Sequence, residues 1–400
     1  MKLSEDEIRK ITLFVINDLG ENATPELVRQ AVAKAVGKLE LEIKPDLDSN
    51  SLKIILSLGI NLRDCPDRNI DVVKYKIQRK ILHYGKNHVE YVKEIESKYG
   101  NIVAGNILSL TPISIPFDNF SKNDFIEIAE VLDLTAEETG FAFISGYSVL
   151  IQSGITRGEL EFIKSIPEAM SRTKRVHSSI NVASKNEGIN SDAVNIAAEV
   201  IKRTAEMTSD NDSIGCSKLA VICNFKENHP FAAGAFHGVH EGDVSVNVGI
   251  NTFDFLRGRF DDMVNTEENK LTDVVRNTFN DIAASVELVG KEVALKHGAA
   301  FGGVADLHAL LSDQDRQTGL MDDSPIIQKV VAVPGNTDVS AIAGMISAEC
   351  ESAIKRDKAL TLRIIPVTGK KEGEFVDYGM NIGKIGVIDI NKFVGGHQTG

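Results

Sequence analysis

The sequence predicts an α/β protein built around a large sheet, and three features of its 400 residues lead to that prediction. From about residue 51, short apolar runs typical of strands alternate with amphipathic helical segments, the order that places helices against a parallel sheet. The strand segments are apolar throughout, as in a sheet buried on both faces. About ten strands are counted, and a closed or nearly closed barrel accommodates that number better than a flat sheet.

The first half of the predicted body alternates strand and helix with clear boundaries. A strand lies within 51–62, and a helix runs from Ile70 to Tyr99 and ends at Gly100. Two short β-rich runs follow within 101–117, limited by prolines. The next elements are a helix over 121–139 with Ser121 as N-cap, a strand over 141–151, a helix over 158–170, a strand over 175–184 and a helix over 191–210.

The second half continues the same alternation. Two strands, over 218–225 and 242–250, flank a polar loop. The remaining elements are a helical segment over 266–298 in one or two pieces, a strand over 330–335, a helix over 338–355, a strand over 360–367 and a final strand over 385–390.

The first 48 residues are predicted to form a small helical appendage that precedes a barrel domain spanning 49–400. They contain two short amphipathic helices, the second starting at Pro25. Such a pair is typical of a dimerising or docking element, so we expect a homo-oligomer assembled through 1–48. A targeting helix for a protein shell has the same pattern and is the alternative.

Composition and charge argue against several classes of protein. The net charge of −13 repels a phosphate backbone and tryptophan is absent, so nucleic acid is not an expected partner. The polar, acidic N-terminus is unlike a secretory signal, and apolar runs are too short to span a membrane. The four cysteines form no CxxC motif. We therefore expect a cytoplasmic protein with free thiols and no membrane partner.

The loop between the strands over 218–225 and 242–250 holds the candidate catalytic residues. His237 and Glu241 are four residues apart, and Asp243 follows them. His237 is predicted to act as a general acid or base oriented by Glu241 or Asp243. With Asp243 or Asp306, the pair could instead bind a divalent metal. A hydrogen-bonded structural histidine is the third interpretation.

Other candidates lie at strand ends or inside strands. His177 is a further catalytic candidate or a core histidine, and Arg363 requires a carboxylate from the protein or from a bound acid. Cys216 is a nucleophile only if exposed, and Thr337 is either an anion ligand at a helix N-terminus or an N-cap. The predicted ligand-binding residues are Asn181, Cys216, Asn247, Asp306, Thr337 and Arg363.

Several long stretches of sequence resemble a family of bacterial and archaeal proteins labelled by likeness to pyruvate formate-lyase. They lie at 145–154, 165–184, 188–194, 214–225, 228–241 and 246–250, and the resemblance covers most of 51–393. It implies a ten-stranded α/β barrel shared with glycyl-radical enzymes. The C-terminal FVGGHQTG lacks the sequence motif that surrounds a radical glycine, so no radical chemistry is implied. This chain also has His177 at a family cysteine position and a shorter segment after Asp306.

These observations predict a soluble enzyme that acts on a small carboxylate metabolite by acid–base or metal-assisted chemistry. The alternative is a non-catalytic metabolite-binding, regulatory or scaffold protein with the same fold. No dinucleotide or P-loop motif is present, so the cofactor is unknown.

Overall fold

The computed structural model describes residues 53–100, 102–225, 230–232, 234–250, 268–306 and 326–367. Side chains of 268–281 and of Asp306 are not among those described. The helical appendage predicted at 1–48 and the strand predicted over 385–390 lie outside the described residues.

Ten strands and seven α-helices make up the described part of the chain. The strands are β1 (Ile54–Ile60), β2 (Val103–Leu110), β3 (Phe143–Leu150), β4 (Val176–Ser184), β5 (Gly188–Ile189), β6 (Leu219–Cys223), β7 (Val244–Ile250), β8 (Ala300–Asp306), β9 (Ile326–Pro334) and β10 (Ala359–Val367). The helices are α1 (Ile70–Tyr99), α2 (Lys122–Glu138), α3 (Arg157–Arg172), α4 (Ser191–Met207), α5 (Ile214–Ser217), α6 (Glu268–His297) and α7 (Val339–Lys355).

The helices begin where the sequence supplies a capping side chain. Ser121 Oγ accepts a hydrogen bond from Asp124 N at the start of α2, and the Asp124 carboxylate accepts one from Ser121 N, so the predicted N-cap is confirmed. Thr156 and Glu159 form the same reciprocal pair at α3. The segment predicted over 266–298 is the single helix α6. No described helix combines the length and apolarity needed to cross a bilayer.

The strands form one mixed sheet, so the α/β class is confirmed, while the expectation of a parallel sheet is wrong at two places. The order is β8-β7-β1-β2-β3-β4-β6-β10-β9, with β5 paired to the end of β4. The five strands from β1 to β6 in that order are mutually parallel, whereas β7 runs antiparallel to β1 and β10 antiparallel to β6. Among the described residues β8 and β9 are the two edges, so closure into a barrel is not shown.

The helices pack on one face of the sheet. In β1, Ile54, Leu56, Leu58 and Ile60 point into a core shared with buried residues of the helices, and the alternate side chains point the other way. We call this second face the inner face. It carries mainly small or polar side chains: Ser57 and Gly59 of β1, Ser109 of β2, Ser148 of β3, Ser179 and Asn181 of β4, Ser245 and Asn247 of β7, and Thr361 and Arg363 of β10.

A loop covers the inner face. Phe231 and Ala232 pack in one cluster with Ile55 of β1, Ile326 of β9 and Ala359 of β10. β1 and β10 are five steps apart in the sheet, roughly 24 Å if it were flat. One apolar cluster on the loop thus joins strands from distant parts of the described sheet.

Candidate functional site

His237 lies in the loop between β6 and β7, where the loop meets the end of β2. Its backbone N donates to the carbonyl oxygen of Leu110 at 2.9 Å. Its ring fills the space above Gly59 of β1. A Cβ atom at Gly59 would overlap Nδ1 of that ring and lie 2.5 Å from Oγ of Ser245. The absence of a side chain at Gly59 is therefore what lets the imidazole pack against the strand.

Both ring nitrogens of His237 have partners. Nε2 lies 2.8 Å from the carbonyl oxygen of Gly242, which only accepts, so Nε2 is protonated and donates. Nδ1 lies 3.0 Å from Oε2 of Glu241, and Oγ of Ser245 is 3.4 Å from Nδ1. Two acceptors would repel each other at 3.0 Å, so a proton lies between Nδ1 and Oε2.

The His237 and Glu241 side chains differ sharply in exposure. The imidazole is 1% exposed, whereas the Glu241 side chain is 27% exposed. The pair forms part of the wall of a cavity of about 270 Å³. The cavity is lined by Gly59, Ser109, Pro230, Phe236, His237, Glu241, Gly242, Ser245, Asn247, Ala300 and Gly302. Glu241 is thus the charged group of this lining that a bound molecule can reach.

Asn247, a predicted ligand-binding residue, lines this cavity, and the neighbouring strand is shaped to receive it. A Cβ atom at Gly302 of β8 would overlap the Asn247 amide. Asp306 is on the same strand but pairs with Ile250, whereas Ala300 at the cavity pairs with Ser245. Six residues of strand correspond to roughly 20 Å, so the backbone of Asp306 lies at the far end of β8 from the cavity.

Asp243 also departs from its predicted role of orienting His237. Its Oδ1 accepts from Nζ of Lys80 at 2.5 Å, and its Oδ2 accepts from the hydroxyl of Tyr84 at 3.2 Å. Lys80 also donates to Asp64 at 2.7 Å. These contacts attach the end of the loop to α1. The carboxylate that faces His237 is that of Glu241.

The geometry does not favour a metal at His237. Among the described residues, no group of three or more His, Cys, Asp or Glu side chains could hold an ion. A histidine ligand must also offer an unprotonated ring nitrogen. Here Nε2 donates to a backbone carbonyl, and Nδ1 is occupied by Glu241.

His177 and Arg363 are buried on a different part of the inner face. The His177 ring lies 4.7 Å from that of Phe143, and burial, followed by the charges of Lys218 and Arg363, lowers its pKa to about 3. Burial lowers the pKa of Arg363 to about 10, and its Nη1 donates to Ser217 O at 3.3 Å. Lys218, which the sequence did not single out, is buried beside them.

The remaining candidates are placed as follows. Cys216 is buried, its thiol donates to Ile201 O at 3.4 Å, and burial raises its pKa, so it is no nucleophile. Thr337 is not the N-cap of α7, because Asp338 takes that position and accepts from Ala341 N at 2.7 Å. This carboxylate disfavours an anion at that helix end. Asn181 is buried, and its Oδ1 has no partner among the described residues.

Comparison with known proteins identifies relatives along most of the chain. A family model described as "Uncharacterised ACR (DUF711)" matches residues 48–309 and 329–381. A UPF0210 protein of Thermoanaerobacter sp. strain X514 is 34% identical over 410 residues, covering 84% of this chain and 90% of the relative. UPF0210 proteins of Methanosarcina mazei and Listeria monocytogenes serotype 4b are 31% and 32% identical, with the same coverage.

These matches overturn the family resemblance suggested by the sequence motifs. The stretches from 145 to 250 lie within the first matched segment, and the matching model and relatives carry the DUF711 and UPF0210 names, not a likeness to pyruvate formate-lyase. These stretches do lie within a segment that matches a family model, but the sequence analysis named the wrong family. The chain belongs to the DUF711 family, whose relatives here are UPF0210 proteins.

Proposed function

We propose that this protein is an enzyme that acts on a small carboxylate metabolite by acid–base chemistry, with Glu241 as the group that exchanges the proton. One observation carries the proposal: the 3.0 Å contact between Glu241 and the buried His237 in the wall of a cavity of about 270 Å³. A cavity of that size suits a small metabolite.

The contact supports roles for the two residues opposite to those expected from the sequence. The His237 side chain is 1% exposed and both ring nitrogens are engaged, which favours a positioning role over proton exchange with a bound molecule. With Nδ1–H directed at Oε2, the other carboxylate oxygen of Glu241 is available to a ligand. Glu241 then takes a proton from a bond of the bound molecule, which keeps the electron pair, while His237 positions the carboxylate.

The evidence that the metabolite is a carboxylate comes from a residue outside the cavity, Arg363. The described residues that line the cavity include no lysine or arginine. The inner face of the same sheet carries the buried Arg363, and an acid is the ligand class that a buried guanidinium selects. Acid–base chemistry is preferred to metal assistance because neither nitrogen of His237 is open to an ion.

We also propose that the sheet curves into a closed barrel in which β8 lies beside β9. Ala305 of β8 and Ile326 of β9 pack in the same cluster around the loop. Closure would exclude water from the inner face and strengthen its electrostatic interactions. Slow hydrogen exchange along both strands, comparable to that of β1, is expected; fast exchange of either edge contradicts closure.

Proton exchange into organic acids tests the enzymatic proposal. The wild-type protein is incubated in D₂O with a panel including acetate, lactate and succinate, and loss of carbon-bound proton signals is followed by NMR. Glu241→Gln keeps the shape of the side chain but cannot accept a proton, so it is expected to lose exchange. Glu351→Gln changes an exposed carboxylate on α7 and is the matched control.

A non-catalytic binding protein is the second candidate, because the His237 contacts also fix the loop that covers the sheet. That candidate predicts saturable binding of an acid without exchange or any other turnover. Full turnover of an acid by His237→Asn or Glu241→Gln would contradict the assignment of this pair.

A further inference from the structure

Arg363 is a buried cation with no carboxylate partner among the described residues. It lies in the middle of β10 and is 6% exposed, and its Nη1 donates a hydrogen bond to Ser217 O. Burial lowers its pKa to about 10, and no carboxylate in the described ranges offsets the loss of solvation. A guanidinium has five N–H donors, and a buried arginine normally has a counter-ion.

The sheet register places this guanidinium beside the start of β6 on the inner face. Leu362 of β10 pairs with Val221 of β6, so one further step along the antiparallel register sets Arg363 opposite Ala220. The loop covers Ala220 and Ser179, because a Cβ atom at Gly234 would lie within 3.0 Å of both side chains. The contact of Arg363 with Ser217 O directs its side chain away from that covered part, toward the start of β6 and next to His177.

Arg363, Lys218 and His177 form a basic cluster at the start of β6. Lys218 and His177 are less suited than Arg363 to bind an anion. Nζ of Lys218 donates to the carbonyl oxygens of Met170, at 2.7 Å, and Thr173, at the end of α3. His177 is uncharged at neutral pH because its pKa lies near 3. It can still donate one N–H to an acceptor. Arg363 is therefore the charged group of the cluster whose remaining donors lack partners in the described part of the chain.

We infer that Arg363 binds the carboxylate group of a small-molecule ligand on the inner face, with His177 beside it as a neutral donor. The planar guanidinium matches the two oxygens of a carboxylate. One guanidinium balances one negative charge, whereas a phosphate dianion would remain half-neutralised. The inference deepens the proposed function, whose carboxylate class rests on this arginine, and a non-catalytic binding protein would use the same arginine.

Thermal denaturation and binding titrations of Arg363 variants test the inference. The probes are acetate, lactate and succinate at matched ionic strength, with lactamide as the uncharged analogue and phosphate as the alternative anion. At least one acid is expected to raise the Tm of the wild-type protein, and lactamide is not. Arg363→Met, of similar volume, is expected to weaken acid binding by roughly ten- to a hundredfold. Arg363→Lys keeps the charge without the planar fork and is expected to be intermediate.

The ligand-free variants distinguish a ligand site from a hidden ion pair. Without ligand, Arg363→Met is expected to keep or raise the Tm, because it removes a buried charge that has no counter-ion. A sharp fall in Tm would mean that a carboxylate of the protein is paired with Arg363 and would overturn the inference. So would an unchanged wild-type Tm with every acid, a response to phosphate alone, or undiminished acid binding by Arg363→Met. Glu351→Gln, by contrast, removes an exposed carboxylate on α7 and should retain acid binding.

Discussion

His88 on α1 and His297 at the end of α6 are joined by a hydrogen bond, with Nδ1 of His88 3.1 Å from Nε2 of His297. Nε2 of His88 lies 3.1 Å from Oδ1 of Asn106, an acceptor, so it carries the proton and its Nδ1 accepts. Burial, followed by the neighbouring His297, lowers the pKa of His88 to about 3. Burial, followed by His83, lowers the pKa of His297 to about 4.

This pair predicts that acid weakens the fold. Unfolded histidines bind a proton near pH 6.5, whereas the folded pair resists protonation, so the stabilisation is complete above that pH and declines as pH falls toward 4. The free energy of unfolding is expected to fall between pH 7.5 and pH 5 by about 2 kcal/mol from His88 alone. Urea unfolding at the two pH values measures the change.

The variant His88→Gln isolates this contribution from other buried groups such as His177. It is expected to be less stable than the wild type at pH 7.5 but to lose less stability on acidification. Equal pH dependence in the two proteins would show that the pair is not the source.

The side-chain-free position at Gly59 predicts a strong effect of a single methyl group. In Gly59→Ala the new Cβ displaces the His237 ring, because it would overlap Nδ1 of that ring. Overpacking of this kind costs roughly 1–3 kcal/mol, and displacement of the ring should also abolish proton exchange by Glu241. Chemical denaturation and the NMR exchange assay report the two effects.

Gly344→Ala on the exposed side of α7 provides the control, since a Cβ there has nothing within 4 Å. It should stabilise the protein by up to about 1 kcal/mol through the helix preference of alanine. If both glycine variants behave alike, Gly59 does not position the ring.

The two carboxylates of the loop are expected to differ in their effects on turnover. Glu241→Gln should lower the rate of proton exchange by about 10²–10⁴-fold, the usual contribution of a general base. Asp243→Asn should leave the rate nearly unchanged, because Asp243 pairs with Lys80 and Tyr84 and not with His237. Rates from NMR for the purified variants make the comparison, and a larger loss for Asp243→Asn would reverse the assignment.

Lys218 is expected to stabilise the end of α3. Its ammonium donates to two carbonyl oxygens that have lost the next turn of helix, so Lys218→Met leaves them buried without a donor. The expected loss is about 1–3 kcal/mol in the free energy of unfolding, measured with urea. Lys355→Met at an exposed ion pair on α7 is the control and should change stability by less than about 0.5 kcal/mol. Equal effects would indicate a general response to losing charge.

The sequence predicted the helices well, because N-caps and the spacing of apolar residues depend only on residues that are close together in the chain. The bounds of α1 and the cap at Ser121 are both confirmed. The positions of the strands were predicted less accurately. The run after Pro112 is not a strand, and β8 was missed because glycines at 302 and 303 lower its apparent strand preference. Gly302 is explained by the Asn247 side chain of the neighbouring strand, and Gly303 by its backbone φ of 123°.

Strand direction and site geometry depend on contacts between distant segments. Nothing in the apolar pattern of β7 shows that it runs antiparallel to β1. His237 and Glu241 were predicted to be close from their spacing, and they are. The choice between Glu241 and Asp243 was not predictable, because it is made by Lys80 on a distant helix.

The described part of the covering loop after residue 233 is held in place before any ligand binds. Its backbone is tied to separate parts of the sheet and its flanks: Gly234 O accepts from Ser179, His237 N donates to Leu110 O, Val239 O accepts from Arg63, and Asp243 O accepts from Asn61 N. Little conformational entropy therefore remains to be lost when a guest molecule arrives. The association rate constant of a ligand should consequently be limited by access to the inner face and not by rearrangement of the loop.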